Sequence, residues 1–106
     1  MKTYQCFLGT NKPSGGVVTT YEWTQFLKQI DATFTEGYTV QKAIGRWRGV
    51  NEDTFLLTVI TDELKTLTSL CQTYKDLFNQ ESVLIQELPT NPVSYTHLRA
   101  HETQTH

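Results

Sequence analysis

The side chains best suited to metal or proton chemistry lie at the end of the chain. All three histidines, His97, His101 and His106, follow Thr96. His97 and His101 are four apart, so a helix would place both on one face, as in a pair of zinc ligands. No cysteine or carboxylate signature converges on them in the sequence, and no metal is expected. Upstream there is no histidine at all. A general acid or base at neutral pH would therefore be a perturbed Glu, Asp, Lys, Tyr or Cys. Neither a Ser-His-Asp nor a Cys-His arrangement can be built there. No cofactor motif is present, and none is expected to be bound.

Three further groups could hold a ligand. The segment from Asn11 to Gly16 carries Lys12 and the pair Gly15-Gly16 just ahead of an expected helix. Free amides there, with Lys12 beside them, could receive a phosphate or carboxylate at the helix N-terminus. The structural alternative is that the glycines only make the turn, with the helix end already capped by Thr19 and Glu22. Arg46, Trp47 and Arg48 alternate along an expected strand. Both arginines would share a face with Ile44 while Trp47 points the other way. The arginines could clamp an anion, or they could be a solvated strand end whose stems cover apolar surface. Trp47 would become an interface anchor if it lay on an open face. Around the end of a second helix, Tyr74, Gln80, Glu81 and Ser82 could present an acidic base or tie a loop to neighbouring backbone. Glu52 is equally ambiguous, and a salt bridge with Arg46 or Arg48 across a hairpin is its expected structural use.

The elements that must position these residues are legible in outline. Thr3 to Gly9 alternates around Tyr4, Cys6 and Leu8, as a strand does. Pro13 and Gly15-Gly16 mark a turn. Thr19 and Glu22 have capping-box spacing, with Val18 and Trp23 as a hydrophobic staple. Trp23, Phe26, Leu27, Ile30 and Phe34 then form one helical stripe. Glu36-Gly37 ends that helix, and Tyr38 to Arg48 reads as a long strand, bulged near Gly45. A tight connection over residues 49–53 leads to a strongly apolar strand, Thr54 to Thr61, expected at the centre of a sheet. Thr61 or Asp62 caps a second helix with Leu64, Leu67, Leu70, Cys71, Tyr74, Leu77 and Phe78 on its stripe. Ser82 to Leu88 is a last strand, ended by Pro89.

The order β-α-β-β-α-β implies an α+β, ferredoxin-like fold: a four-stranded antiparallel sheet with two helices on one face. The opposite face is left open. In so small a domain, an open face with apolar residues finds either a ligand or a second copy of itself.

Composition narrows the function further. The chain has 106 residues, 38% hydrophobic and 19% charged, which fits one domain. Nine basic residues stand against 11 acidic ones, for a net charge of −2. The basic residues are scattered, which argues against nucleic-acid binding, and the apolar strand lacks the basic and paired aromatic residues that stack RNA bases. No apolar run approaches the roughly 18 residues of a membrane span. The N-terminus lacks a signal-like apolar stretch, so a cytoplasmic location is the default. Cys6 and Cys71 fall on expected core faces and should be reduced and inert.

The sequence Gly15-Gly16-Val17-Val18-Thr19, followed by Glu22-Trp23, Phe26-Leu27, Phe34, Gly37, Thr39-Val40, Gly45 and Trp47-Arg48, resembles a bacterial family catalogued as domain of unknown function three-five-seven-four. Glu52 with Thr54, Tyr74-Lys75, Phe78 and Gln80-Glu81-Ser82-Val83-Leu84 resemble the second half of the same family. The resemblance implies a ferredoxin-like α+β domain and no established activity. Many members of that family carry an export signal. Residues 92–103 resemble a translated sequencing-library adaptor of the kind fused to open reading frames in metagenomic assemblies. Residues 1–91 are accordingly read as the domain and residues 92–106 as a disordered or artefactual tail.

Two functions follow as expectations. The first is a noncatalytic homodimer that binds a small ligand or a protein partner across the open sheet or at the glycine loop, self-associating through the open face. Lys12, Gly15, Gly16, Arg46, Trp47, Arg48 and Glu81 would be its site, and a small anionic molecule its ligand. The alternative is a small enzyme similar to dimeric α+β-barrel monooxygenases or isomerases, with Tyr21, Trp47 and a carboxylate lining a pocket.

Overall fold

The computed structural model describes residues 1–89. The three histidines and the tail expectation lie outside the described residues. Six elements follow in the order β1 (Lys2–Gly9), α1 (Thr20–Thr33), β2 (Thr39–Trp47), β3 (Val50–Thr61), α2 (Leu64–Leu77) and β4 (Leu84–Leu88). The strands form one sheet in the order β2-β3-β1-β4, and every neighbouring pair is antiparallel. This is the ferredoxin-like arrangement, with the apolar β3 in the interior of the sheet.

The period of two in the strands divides the sheet into two faces. Tyr4, Cys6, Leu8, Leu57 and Val59 are buried under the helices with Trp23, Phe26, Ile30, Leu67, Leu70, Cys71, Tyr74 and Phe78. The Trp23 ring stacks on Phe55 with centroids 3.8 Å apart. Phe26, Tyr74 and Phe78 meet edge to face nearby, the geometry that aromatic quadrupoles favour. The stripe of α2 is narrower than expected, because Leu64 and Leu77 at its two ends are exposed. Cys6 and Cys71 are free thiols inside this core.

The start of α1 follows local chemistry. Glu22 N–H donates to Thr19 Oγ1 at 3.1 Å, and Thr19 N–H donates to Glu22 Oε1 at 2.9 Å, completing the capping box. The second helix begins differently. Its N-cap is Glu63, without a side-chain cap, and Thr61 Oγ1 instead accepts from Glu63 N–H at 3.0 Å one step earlier. Thr61 thus orders the turn into α2, and neither it nor Asp62 is the N-cap.

The hairpin between β2 and β3 also departs from expectation. Register runs without interruption from Thr39 opposite Thr58 to Trp47 opposite Val50, so there is no bulge at Gly45. The turn consists of Arg48 and Gly49, with φ of 51° and 79°, the sign that two-residue type I′ hairpins require at both positions. A turn this tight extends β3 back to Val50 and takes Arg48 out of the strand. Among the described residues, no helix is long and apolar enough to cross a membrane.

Candidate functional site

On the face away from the helices, paired residues fall into register as Gly45 with Glu52, Ala43 with Thr54 and then Gly9, and Leu56 with Phe7 and then Leu84. This face is concave. A cleft of about 610 Å³ runs between the β2–β3 hairpin and the segment joining α2 to β4. Phe7, Leu56 and Leu84 give it an apolar floor, and Trp47 and Val50 rise at the hairpin end. Lys12 and Pro13 border it from the loop after β1, and Gln80, Glu81 and Ser82 from the segment before β4.

Two glycines make room in it. A Cβ at Gly45 would stand 2.9 Å from Thr54 Oγ1. One at Gly9 would stand 2.5 Å from Glu52 Oε2. The Glu52 side chain therefore lies over the bare α-carbon of Gly9, and Oε2 accepts the Asn11 N–H at 2.8 Å. The surrounding backbone is pinned from several sides. Thr10 donates to the Asp53 carbonyl through Oγ1 at 2.7 Å and through its amide at 3.1 Å. Gln80 Nε2 donates to the Asn11 carbonyl at 3.0 Å. From the helix layer, the buried Tyr74 hydroxyl donates to the Gly9 carbonyl at 2.7 Å. Burial, followed by the negative charges of Glu52 and Glu22, pushes the Tyr74 phenol well above its ordinary value, so it remains a donor.

The arginines do not form a clamp. Arg46 lies opposite Asn51, on the other face of the sheet from Glu52, and its Nη1 donates to Asn51 Oδ1 at 2.8 Å. Arg48, displaced into the turn, lies 5.4 Å from the Trp47 ring and reaches Glu81 at 3.4 Å. That ion pair links the hairpin tip to the segment before β4, across the mouth of the cleft. The expected bridge from Glu52 to either arginine does not form, because the side chain is turned toward β1 and Asn11 instead.

The glycine loop is closed on itself. Lys12 N–H donates to the Gly16 carbonyl and Gly15 N–H to the Lys12 carbonyl, both at 2.9 Å. Gly15 and Gly16 are exposed, with φ of 110° and 80°, and do not line the cleft. Lys12 borders the cleft, but its Nζ lies 3.0 Å from both oxygens of Glu22. The Thr19 amide and Lys12 together hold the Glu22 carboxyl below its usual range. The N-terminus of α1 is thus occupied by the protein's own carboxylate.

The structure therefore brings Lys12, Arg46, Trp47, Arg48 and Glu81 to the lining of one cleft and leaves Gly15 and Gly16 outside it. Tyr21 is also outside, exposed on α1. Of the residues that shape the floor, Gly9 and Gly45 are not among the expected site residues, and Glu52 is expected only as an acid of ambiguous role. The sequence signal for the two glycines is a glycine at a strand end and another within a strand. Among the described residues, no group of three or more His, Cys, Asp or Glu side chains is placed to hold a metal ion.

Two solved structures are similar to this chain. A phage SAM lyase in its apo state is similar, with a TM-score of 0.50 and 20% sequence identity, covering 81% of this chain and 79% of its own. A de novo designed protein with a ferredoxin fold, solved by solution NMR, aligns over 98% of this chain and 100% of its own, with a TM-score of 0.38 and 12% identity. A search among curated proteins found no match. The family model for DUF3574, proteins of unknown function, matches residues 3–92, and the chain belongs to that family.

Proposed function

We propose that this domain is a noncatalytic binding module whose site is the cleft on the open sheet face. The observation that carries this reading is the pairing of an apolar floor, Phe7, Leu56 and Leu84, with one fixed polar group, Glu52, in a concavity of about 610 Å³. Small-molecule sites have this composition and size: mostly apolar walls, with a few placed polar groups that set orientation. The likeness to the phage SAM lyase supports the fold and carries no activity across.

The reading is tested by a fragment screen read as thermal shift, on the wild-type chain and on Leu84→Arg. Leu84 is 61% exposed on the floor, so the charge enters the cleft without entering the core. Fragments that stabilise the wild type should fail to stabilise the variant. Equal shifts in the two proteins would place binding elsewhere and overturn the reading.

A second reading is self-association through the same face. Trp47, Val50, Ile60 and Leu84 are each more than half exposed there, and such residues favour covering by a partner surface. Sedimentation of the wild type against Trp47→Glu tests it. A dimer that the substitution dissociates supports the reading, and a monomeric wild type overturns it.

A further inference from the structure

Among the described residues, Glu52 is the cleft carboxylate with no cation set against it. The other acid in the lining, Glu81, is paired with Arg48. Two of the three basic groups that line the cleft are held by carboxylates, Lys12 by Glu22 and Arg48 by Glu81, while Arg46 donates to the neutral Asn51 side chain. One Glu52 oxygen, Oε2, accepts the Asn11 amide. Oε1 has no hydrogen-bond donor among the described residues. The position across the hairpin is Gly45, so no side chain stands between Glu52 and the space above β2. Trp47 lies two residues along from Gly45 on the same face, diagonal to Glu52, with the Arg48 guanidinium 5.4 Å from its ring.

We propose that the cleft takes a small organic ammonium ion, an arylalkyl or alkyl amine. Its N–H donates to Glu52 Oε1, and its apolar body lies on Phe7, Leu56 and Leu84. This rests on the cleft being the binding site. The chemistry is complementary: a carboxylate acceptor without a cation of its own favours an ammonium donor, and the floor accepts the hydrocarbon. The tethered Oε2 holds the carboxylate in place, so little side-chain entropy remains to be lost on binding. An anion would meet Glu52 at the floor, with Lys12 and Arg48 already held by Glu22 and Glu81.

The test compares three probes of similar shape on the full chain at neutral pH by calorimetric titration: 2-phenylethylamine, 2-phenylethanol and 3-phenylpropionate. The amine should bind about tenfold more tightly than the alcohol, and the carboxylate more weakly than either. Glu52→Gln keeps an acceptor for the Asn11 amide and removes the charge. It should lower amine affinity to that of the alcohol while leaving alcohol affinity within about twofold. The wild-type probe series decides the matter even if the variant does not fold. Equal binding of amine and alcohol overturns the ammonium assignment and leaves the cleft as the site. Preference for the carboxylate overturns it in favour of anions. Failure of all three to bind overturns both the assignment and the cleft reading.

Discussion

The carboxylate of Glu52 lies across the α-carbon of Gly9, so that a methyl group at Gly9 would meet Oε2 at 2.5 Å and Cδ at 2.7 Å. The two residues are far apart in the chain. They meet because β1 pairs with β3 with Gly9 opposite Thr54, which carries the chain after Gly9 past Glu52. Gly9 thus has a side-chain role without having a side chain: it is the seat on which the cleft's central acceptor rests.

Gly9→Ala should displace that carboxylate and break its bond to the Asn11 amide. The obstacle is the free end of a flexible side chain rather than backbone, so the fold should survive. The expected cost is about 1 kcal/mol, the scale of one partly exposed hydrogen bond. Chemical denaturation measures it. Binding in the cleft should fall more than stability does, since the acceptor moves while the core stays intact.

Tyr74→Phe should cost about 1 to 2 kcal/mol, because it removes a buried donor from the Gly9 carbonyl. The wild type should also lose stability in alkali in a way the variant does not. The folded-state value of this phenol is raised above its unfolded value near 10. Above pH 10 the unfolded state therefore holds fewer protons than the folded state, and stability falls as pH rises. The stability difference between wild type and variant should narrow above pH 10, as followed by urea unfolding.

At the start of α1, Thr19→Ala should cost about 1 kcal/mol as a lost N-cap. The Glu22 carboxyl sits below its ordinary value through the Thr19 amide and Lys12. Its contribution is present above the unfolded value of about 4.5 and is lost as pH falls through the lowered folded value. Lys12→Met should flatten this acid limb in unfolding curves taken across that range.

Cys6 and Cys71 should resist thiol reagents in the folded protein. Both are buried, which shields them from reagents; their mutual hydrogen bond, with burial, pushes the Cys6 thiol far up and lowers Cys71, so for Cys71 it is burial that protects. Labelling should wait for unfolding and then modify both residues. Rapid modification of either in native buffer would contradict the burial.

The architecture was readable because its signals are local. The capping box at Thr19 and Glu22, the stripe from Trp23 to Phe34 and the apolar run in β3 each declare themselves within a few residues. The hairpin was misread at one point, where Arg48 adopts positive φ. An arginine carries no signal for that conformation, and the error placed Arg46 and Arg48 on one face. Gly45, taken for a bulge, is instead an ordinary strand position kept bare by Thr54 Oγ1. The cleft was less legible than the fold, because Gly9, Gly45 and Glu52 converge only through strand register. That register is a long-range property which no spacing along the chain encodes. Lys12 was expected beside an anion at the N-terminus of α1, and its Nζ instead meets Glu22, which the sequence marks only as a cap.

The most direct test of binding on the open sheet face is amide and indole NMR of the full chain, titrated with 2-phenylethylamine. The prediction is a contiguous set of shifts at Phe7, Gly9, Gly45, Glu52, Thr54 and Leu56, and at the Trp47 indole, with the buried Trp23 indole unmoved. Shifts confined to the helix layer around Tyr21, or none at all, would contradict it.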